Sequence, residues 1–155
     1  MRPNQSAPPQ AASPGTHLVA GPIGPLEVTL TAGTGAPAAA RAHVKTWLAG
    51  RAGATTIIDA RLAVSELVTN SIQHADAPVD APIEVRASVA ADVLSLEVQD
   101  RGTSGAITRR TPDFQHGGGF GLNVVDIVSR RWGVDRGAGT RVWAELAFSP
   151  AGPDM

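Results

Sequence analysis

Apolar and polar residues follow two different periods along this chain. Alternation with period two is typical of strands with one buried face, and apolar residues repeated every three to four positions indicate amphipathic helices. The strand pattern occurs in segments 26–31, 83–90, 93–99, 132–136 and 141–148, and the helical pattern in segments 37–49, 55–75 and 119–130. Short turns join two pairs of these strands into predicted hairpins. Together they predict an α+β fold, a two-layer sandwich in which helices cover one face of a mixed, mostly antiparallel sheet.

The two ends of the chain differ in composition from this patterned region. Residues 1–25 hold six of the twelve prolines and few large apolar side chains, so they cannot bury enough surface to offset the entropy of ordering. We therefore predict a disordered arm over 1–25, one domain over 26–148 and a flexible tail over 149–155.

Segment 55–75 is the clearest predicted helix. On a helical wheel one broad arc forms the predicted core face, and its members are Ile57, Ile58, Ala60, Val64, Leu67, Val68 and Ile72. The opposite arc carries Glu66, Asn70 and Gln73, with His74 at its margin and Leu62 as an apolar exception. Glu66, Asn70 and His74 are spaced four residues apart, so they form one polar stripe along the helix.

The residue types in this stripe suit a phosphate-handling site. The carbonyl oxygen of Asn70 is a neutral, hard ligand suited to Mg²⁺, which takes its other ligands from water and phosphates. Glu66, one turn earlier, is a candidate base that orients or deprotonates a nucleophile. The alternative interpretation is an ordinary solvated stripe, and for His74 a packing or surface role is the simpler interpretation.

Two glycine-rich segments add to this stripe, and neither is a P-loop of the GxxxxGK[ST] type. In the first, Asp100-Arg101-Gly102 follows a predicted strand, where an aspartate can accept a hydrogen bond from the amine of adenine and Gly102 lets the base approach the backbone. An ordinary turn is the alternative.

The second segment is His116-Gly117-Gly118-Gly119-Phe120-Gly121-Leu122, which leads into a predicted helix. Its free backbone N–H groups lie at the positive end of the helix dipole, an arrangement that binds phosphate. A flexible linker is the alternative. The His-Gly-Gly-Gly run also resembles the oxyanion loop of esterases, but the sequence has no Gly-x-Ser-x-Gly elbow to supply a nucleophile.

In this order, the three elements resemble the motifs of the GHKL ATPase superfamily, which has the Bergerat ATP fold. SELVTNSIQHA (65–75) is similar to its N-box, DRGTSG (100–105) to its first glycine box and GGGFGLNVV (117–125) to its second. The phrases SELVTN, RRWGV and GTRVWAEL are typical of the RsbW- and SpoIIAB-like anti-sigma-factor serine kinases and of the small standalone ATP-binding homologues in actinobacteria. The resemblance covers residues 26–148.

The resemblance implies ATP and Mg²⁺ as cofactors, with Asn70 on the metal and Glu66 as candidate base. It implies that Asp100 contacts adenine with support from Thr140. It also implies nucleotide contacts from a set of further positions in the two boxes, which are Gly102, Gly105, Gly117, Gly118, Gly119, Gly121 and Leu122. Relatives phosphorylate a serine of a STAS-domain anti-anti-sigma factor, sequester a sigma factor and usually form homodimers.

Composition limits the other functional classes. The formal net charge is −1, so we expect no direct binding to nucleic acid or to anionic membranes. The chain has no cysteine, which excludes disulfides and thiolate metal sites. No apolar run approaches the ~18 residues of a membrane span, and the first residues lack a signal-peptide core, so we expect a cytoplasmic protein.

Two functions follow as expectations. The first is an ATP-dependent serine/threonine kinase that regulates transcription by phosphorylating a STAS-domain anti-anti-sigma factor. The second is a non-catalytic, nucleotide-dependent module that sequesters a sigma factor or another regulator. The first glycine box raises the second possibility, because Gly102 and Gly105 are three residues apart where relatives have Asp-x-Gly-x-Gly.

Overall fold

The secondary structure follows the predicted order of strands and helices. The computed structural model describes residues 23–74, 80–100 and 120–153. The elements are β1 (Leu26–Thr31), α1 (Ala36–Leu48), α2 (Ala54–His74), β2 (Pro82–Ala90), β3 (Val93–Asp100), α3 (Phe120–Val128), β4 (Arg131–Gly137) and β5 (Gly139–Ala147). Each predicted element is present, and its ends lie within two residues of the predicted ends. Of the predicted arm over 1–25, residues 1–22 lie outside the described residues.

The five strands form one sheet in the order β1-β2-β3-β5-β4. All four neighbouring pairs are antiparallel, and β1 is an edge strand, as its pattern suggests. Strand β5 lies beside β3 although α3 and β4 come between them in the chain. The register pairs Gln99 with Arg141, so the last residue of β3 lies beside the first residues of β5.

The two faces of the sheet differ in chemistry, which confirms the predicted two-layer arrangement. On one face the alternate residues Leu94, Leu96 and Val98 of β3 are buried, and α2 packs against β3 and β5 on this side. The other face carries ion pairs between neighbouring strands, such as those from Arg86 and Arg141 to Glu97. Among the described elements, the helices therefore cover one face only.

Helix α2 buries most of its predicted core face, but the predicted arc was too broad. Ala60, Val64, Leu67 and Val68 are fully buried, whereas Ile58 is 55% exposed. The prediction for Ile58 was wrong because residue 58 lies about 120° around the helix axis from residue 64. It therefore points away from the sheet. Within the described ranges, no helix is both long enough and apolar enough to cross a lipid bilayer.

The chain remains hydrogen-bonded beyond the predicted end of the domain at residue 148. The N–H of Ser149 donates to Oγ1 of Thr56 at 3.0 Å, and the carbonyl oxygen of Ser149 accepts from the N–H of Gly53 at 2.9 Å. The N–H of Ala151 donates to the carbonyl oxygen of Arg51 at 3.0 Å. These bonds join the segment after β5 to the start of α2, and most of them use backbone groups that leave no pattern in the sequence.

A close contact between β4 and β5 depends on a glycine. Gly133 pairs with Trp143 across the two strands, and a Cβ added to Gly133 would lie 2.7 Å from Cζ2 of the indole. The guanidinium of Arg131 lies 5.8 Å from the centroid of the same ring and also forms an ion pair with Glu145. The missing side chain at 133 lets the indole lie directly on the neighbouring strand.

We expect Gly133→Ala to destabilise the protein, because the added methyl group must displace the indole or bend β4. Overpacking of this kind costs about 1–3 kcal/mol, and urea unfolding followed by tryptophan fluorescence would measure it. Gly137→Ala in the same strand is the matched control, since a Cβ there meets nothing within 4 Å. Equal unfolding free energies for the two variants would contradict this account of the contact.

Candidate functional site

The candidate site is built around Asp100, the last residue of β3. Alternate residues of a strand face the same side of the sheet, so Asp100 continues the row of Leu94, Leu96 and Val98 that faces the helices. Its residue surface is only 3% exposed. A carboxylate on the apolar face of a sheet requires hydrogen-bond donors to offset the loss of water.

Two other elements supply those donors. The backbone N–H of Thr140, at the start of β5, donates to Oδ1 of Asp100 at 3.1 Å. The hydroxyl of Ser71, on α2, donates to Oδ2 at 3.3 Å. Thr140 thus contacts Asp100 through its backbone amide, and its predicted role toward adenine stays a prediction. A carboxylate has about four acceptor positions, and the described residues fill two of them.

The polar stripe of α2 includes the residue next to Ser71 in the chain, and Ser71 donates to this carboxylate. Asn70 directly precedes Ser71, and Glu66 lies one turn earlier, at a spacing that separates the Cβ atoms by about 5–6 Å. Both side chains are partly buried. Within the part of the chain that the structure describes, neither has a hydrogen-bond or ion-pair partner. Asn70 and Glu66, which have no partner among the described residues, thus lie on the helix whose Ser71 donates to Asp100.

The glycine-rich segments are described only in part. Helix α3 begins at Phe120, so Gly121 and Leu122 lie in its first turn. Leu122 is buried, and α3 packs against α2. The first N–H groups of a helix lack partners within the helix, so an anion at the start of α3 would meet N–H donors of the kind that bind phosphate. The predicted site residues Gly102, Gly105, Gly117, Gly118 and Gly119 lie outside the described residues.

On the face of the sheet that the described helices do not cover, ion pairs fix the part of β5 that follows Thr140. Nε of Arg141 lies 2.8 Å from Oε2 of Glu97 on β3, and its NH1 pairs with Asp135 on β4. The hydrogen bond that Arg141 donates to Glu97 is the main cause that raises the pKa of Arg141. Its positive charge is thus balanced on the far side of the sheet.

Ser71 is the site residue that sequence reasoning missed. It falls on the buried side of α2, where its neighbours on the wheel are Val64, Leu67 and Val68, and the side chain of Ser71 is itself buried. A hydroxyl on an otherwise apolar helix face is a signal that a buried polar partner faces it. That signal was present in the sequence, but the partner is 29 residues away in the chain.

Comparison with known proteins identifies the type of domain. A family model described as a histidine kinase-like ATPase domain matches residues 30–146. This match supports the resemblance to the GHKL superfamily. A search of curated proteins gives no significant match to the chain.

We expect Ser71→Ala to lower the free energy of unfolding, because one oxygen of the buried Asp100 carboxylate then loses its donor. Leaving such a group unsatisfied costs about 1–3 kcal/mol, and chemical denaturation would measure the loss. Ser88→Ala on the exposed side of β2 is the control and should be nearly neutral. A loss no larger than that of the control would argue against a structural role for the Ser71 hydroxyl.

Proposed function

This chain belongs to the histidine kinase-like ATPases, and from that premise we propose that it is an ATP-dependent serine/threonine kinase acting on a STAS-domain anti-anti-sigma factor. Its domain is of the ATP-binding, kinase-like type. The observation that carries the proposal is the buried carboxylate of Asp100, held by Ser71 and Thr140. Asn70 and Glu66, on the same helix as Ser71, have no partner among the described residues.

The chemistry of Asp100 fits an adenine base. Each of its oxygens already accepts one hydrogen bond from the protein, and each has one further acceptor position. Because the group is buried, a donor on a ligand would meet little competition from water. In the proposed function Asp100 accepts a hydrogen bond from the exocyclic amine of adenine.

The chemistry of α2 fits the phosphate end of the nucleotide. Among the described residues, no three His, Asp or Glu side chains are grouped to hold a metal, so Asn70 is the protein ligand that we propose for Mg²⁺. Such an ion takes most of its remaining ligands from water and phosphate oxygens. The backbone N–H groups of Gly121 and Leu122, together with residues 117–119, are the proposed phosphate contacts.

Glu66 is the proposed general base of the phosphoryl transfer. When bound, Mg·ATP supplies the phosphoryl group and the charge that stabilises its transfer. Glu66 orients the hydroxyl of the acceptor serine and takes the proton that the hydroxyl loses. Its place one turn from Asn70 puts the proposed base beside the proposed metal ligand.

The spacing of the first glycine box favours a second candidate function. Gly102 and Gly105 are separated by two residues, one more than in the usual motif. A loop of altered length can bind the nucleotide without supporting turnover. The second candidate is therefore a nucleotide-dependent module that sequesters a sigma factor.

We expect Asp100→Ala to abolish measurable ATP binding, and the isosteric Asp100→Asn to weaken it by at least about tenfold. A hydrogen bond to a charged group contributes about 1.5–3 kcal/mol, and each 1.4 kcal/mol is a factor of ten in affinity. Isothermal titration with ATP would measure both variants. Wild-type affinity in Asp100→Asn would rule out the adenine contact.

We expect Asn70→Ala to change the effect of Mg²⁺ on ATP affinity. ATP affinity in the presence of EDTA should stay close to that of the wild type, while the gain in affinity on adding Mg²⁺ should disappear. The same titrations with and without Mg²⁺ test this. A variant that still gains as much affinity from Mg²⁺ as the wild type would show that another residue holds the ion.

The kinase proposal is tested by incubating the protein with Mg·ATP and purified STAS-domain proteins encoded in the same genome. We expect phosphoserine on one of them and a loss of about 10²–10⁴-fold in rate in Glu66→Gln, since that is the usual contribution of a general base. ATP affinity should be unchanged. If the protein binds ATP but phosphorylates none of these proteins, the non-catalytic module is the better description.

A further inference from the structure

The hydroxyl of Ser71 forms an unusual hydrogen bond for a residue inside a helix. A serine or threonine in that position commonly donates to the carbonyl oxygen four residues earlier. Thr69 does so, donating to the carbonyl oxygen of Ser65 at 2.8 Å. Ser71, two residues later on the same helix, donates to Oδ2 of Asp100 on β3. Its donor therefore serves a carboxylate on another element and not its own helix.

Both partners of this bond are buried. The residue surfaces of Ser71 and Asp100 are 4% and 3% exposed. Alanine would suit a buried helix position better than serine, because it is the best helix former and brings no polar group out of water. The hydroxyl of Ser71 is therefore stabilised in this position by the carboxylate that accepts from it.

The two donors of Asp100 reach different oxygens of the carboxylate. The backbone N–H of Thr140 donates to Oδ1 at 3.1 Å, and the hydroxyl of Ser71 donates to Oδ2 at 3.3 Å. The last side-chain torsion of an aspartate has broad minima, so a single donor would leave the carboxylate free to turn. Two donors from two elements fix its plane.

Only one of these donors depends on the identity of a side chain. The donor of Thr140 is a backbone N–H, which every residue except proline would also supply. The donor of Ser71 is a side-chain hydroxyl. Among the described residues, the side chain at position 71 is therefore the one that decides how firmly the carboxylate of Asp100 is oriented.

We propose that Ser71 is a positioning residue for base selection, whose hydroxyl holds the carboxylate of Asp100 in the orientation that accepts the exocyclic amine of a 6-aminopurine. This inference rests on the proposed function, in which Asp100 accepts a hydrogen bond from that amine. An acceptor that is already oriented loses less freedom when the ligand binds. Ser71 thus increases affinity for the amino group without contacting the nucleotide.

An opposite effect of the hydroxyl has to be weighed against this one. Ser71 occupies one acceptor position of Oδ2, so it could compete with the amine of the base. Each carboxylate oxygen has about two acceptor positions, so the hydroxyl leaves room for a second donor on the same oxygen. Competition predicts tighter ATP binding when the hydroxyl is removed, and positioning predicts weaker binding.

The test compares ATP with purine riboside triphosphate, which lacks the 6-amino group, by isothermal titration in the presence of Mg²⁺. We expect the wild type to prefer ATP by at least about tenfold. Ser71→Ala should lower the affinity for ATP by about three- to tenfold, the effect of one hydrogen bond. The affinity for the analogue should stay within about twofold, whereas a merely structural role would lower both affinities alike.

Three further variants separate the hydrogen bond from packing. Ser71→Cys is similar in size but a weak donor, so it should lose the preference for ATP as Ser71→Ala does. Ser71→Thr keeps a hydroxyl and should restore most of it. Thr56→Val is the matched control, since it removes another buried hydroxyl of α2, the one that bonds to Ser149. It should keep the wild-type preference for ATP.

Two results would overturn this inference alone. They are an unchanged preference for ATP in Ser71→Ala and Ser71→Cys, and tighter ATP binding in either variant, in both cases with the preference lost in Asp100→Asn. If the wild type itself binds ATP and the analogue equally, the proposed adenine contact fails and the inference fails with it. Thermal unfolding checks that each variant is folded, and Ser71→Cys decides the result if Ser71→Ala is not.

Discussion

The site depends on the burial of one carboxylate. Asp100 lies on the apolar face of the sheet, where an uncompensated charge would cost several kcal/mol. The folded chain offsets this cost with a hydroxyl from α2 and an amide from β5. Folding therefore cannot satisfy Asp100 unless α2, β3 and β5 are correctly placed. The same requirement sets the position of Asn70, since it is the residue before Ser71.

The elements of the fold could be predicted because their signal is local. Period-two alternation and the three-to-four-residue repeat gave every described strand and helix. The side that each residue faces was harder to predict, as Ile58 shows, because a wheel alone does not say how wide the buried arc is. The bonds from Ser149 to Thr56 join residues 93 positions apart, and no local pattern encodes them.

A motif names the residues of the candidate site, and their roles toward a nucleotide stay predictions. Asp100 and Thr140 were expected together, and they are in contact. Ser71 was not expected, because the pairing of a buried hydroxyl with a distant carboxylate depends on how α2 lies across the sheet. The motif also does not predict that Ile58 and Leu62 are exposed, because the exposure of a side chain depends on how the helices pack together.

The hydrogen bonds of Ser149 and Ala151 affect more than the end of the chain. They hold the first turn of α2, while Ser71 is held by Asp100 roughly 22 Å further along the same helix. Helix α2 is therefore attached to the sheet near both of its ends and cannot slide along its axis without breaking bonds at each. The family match ends at residue 146, so a domain cut at that boundary would lose the attachment at the start of the helix that carries Asn70.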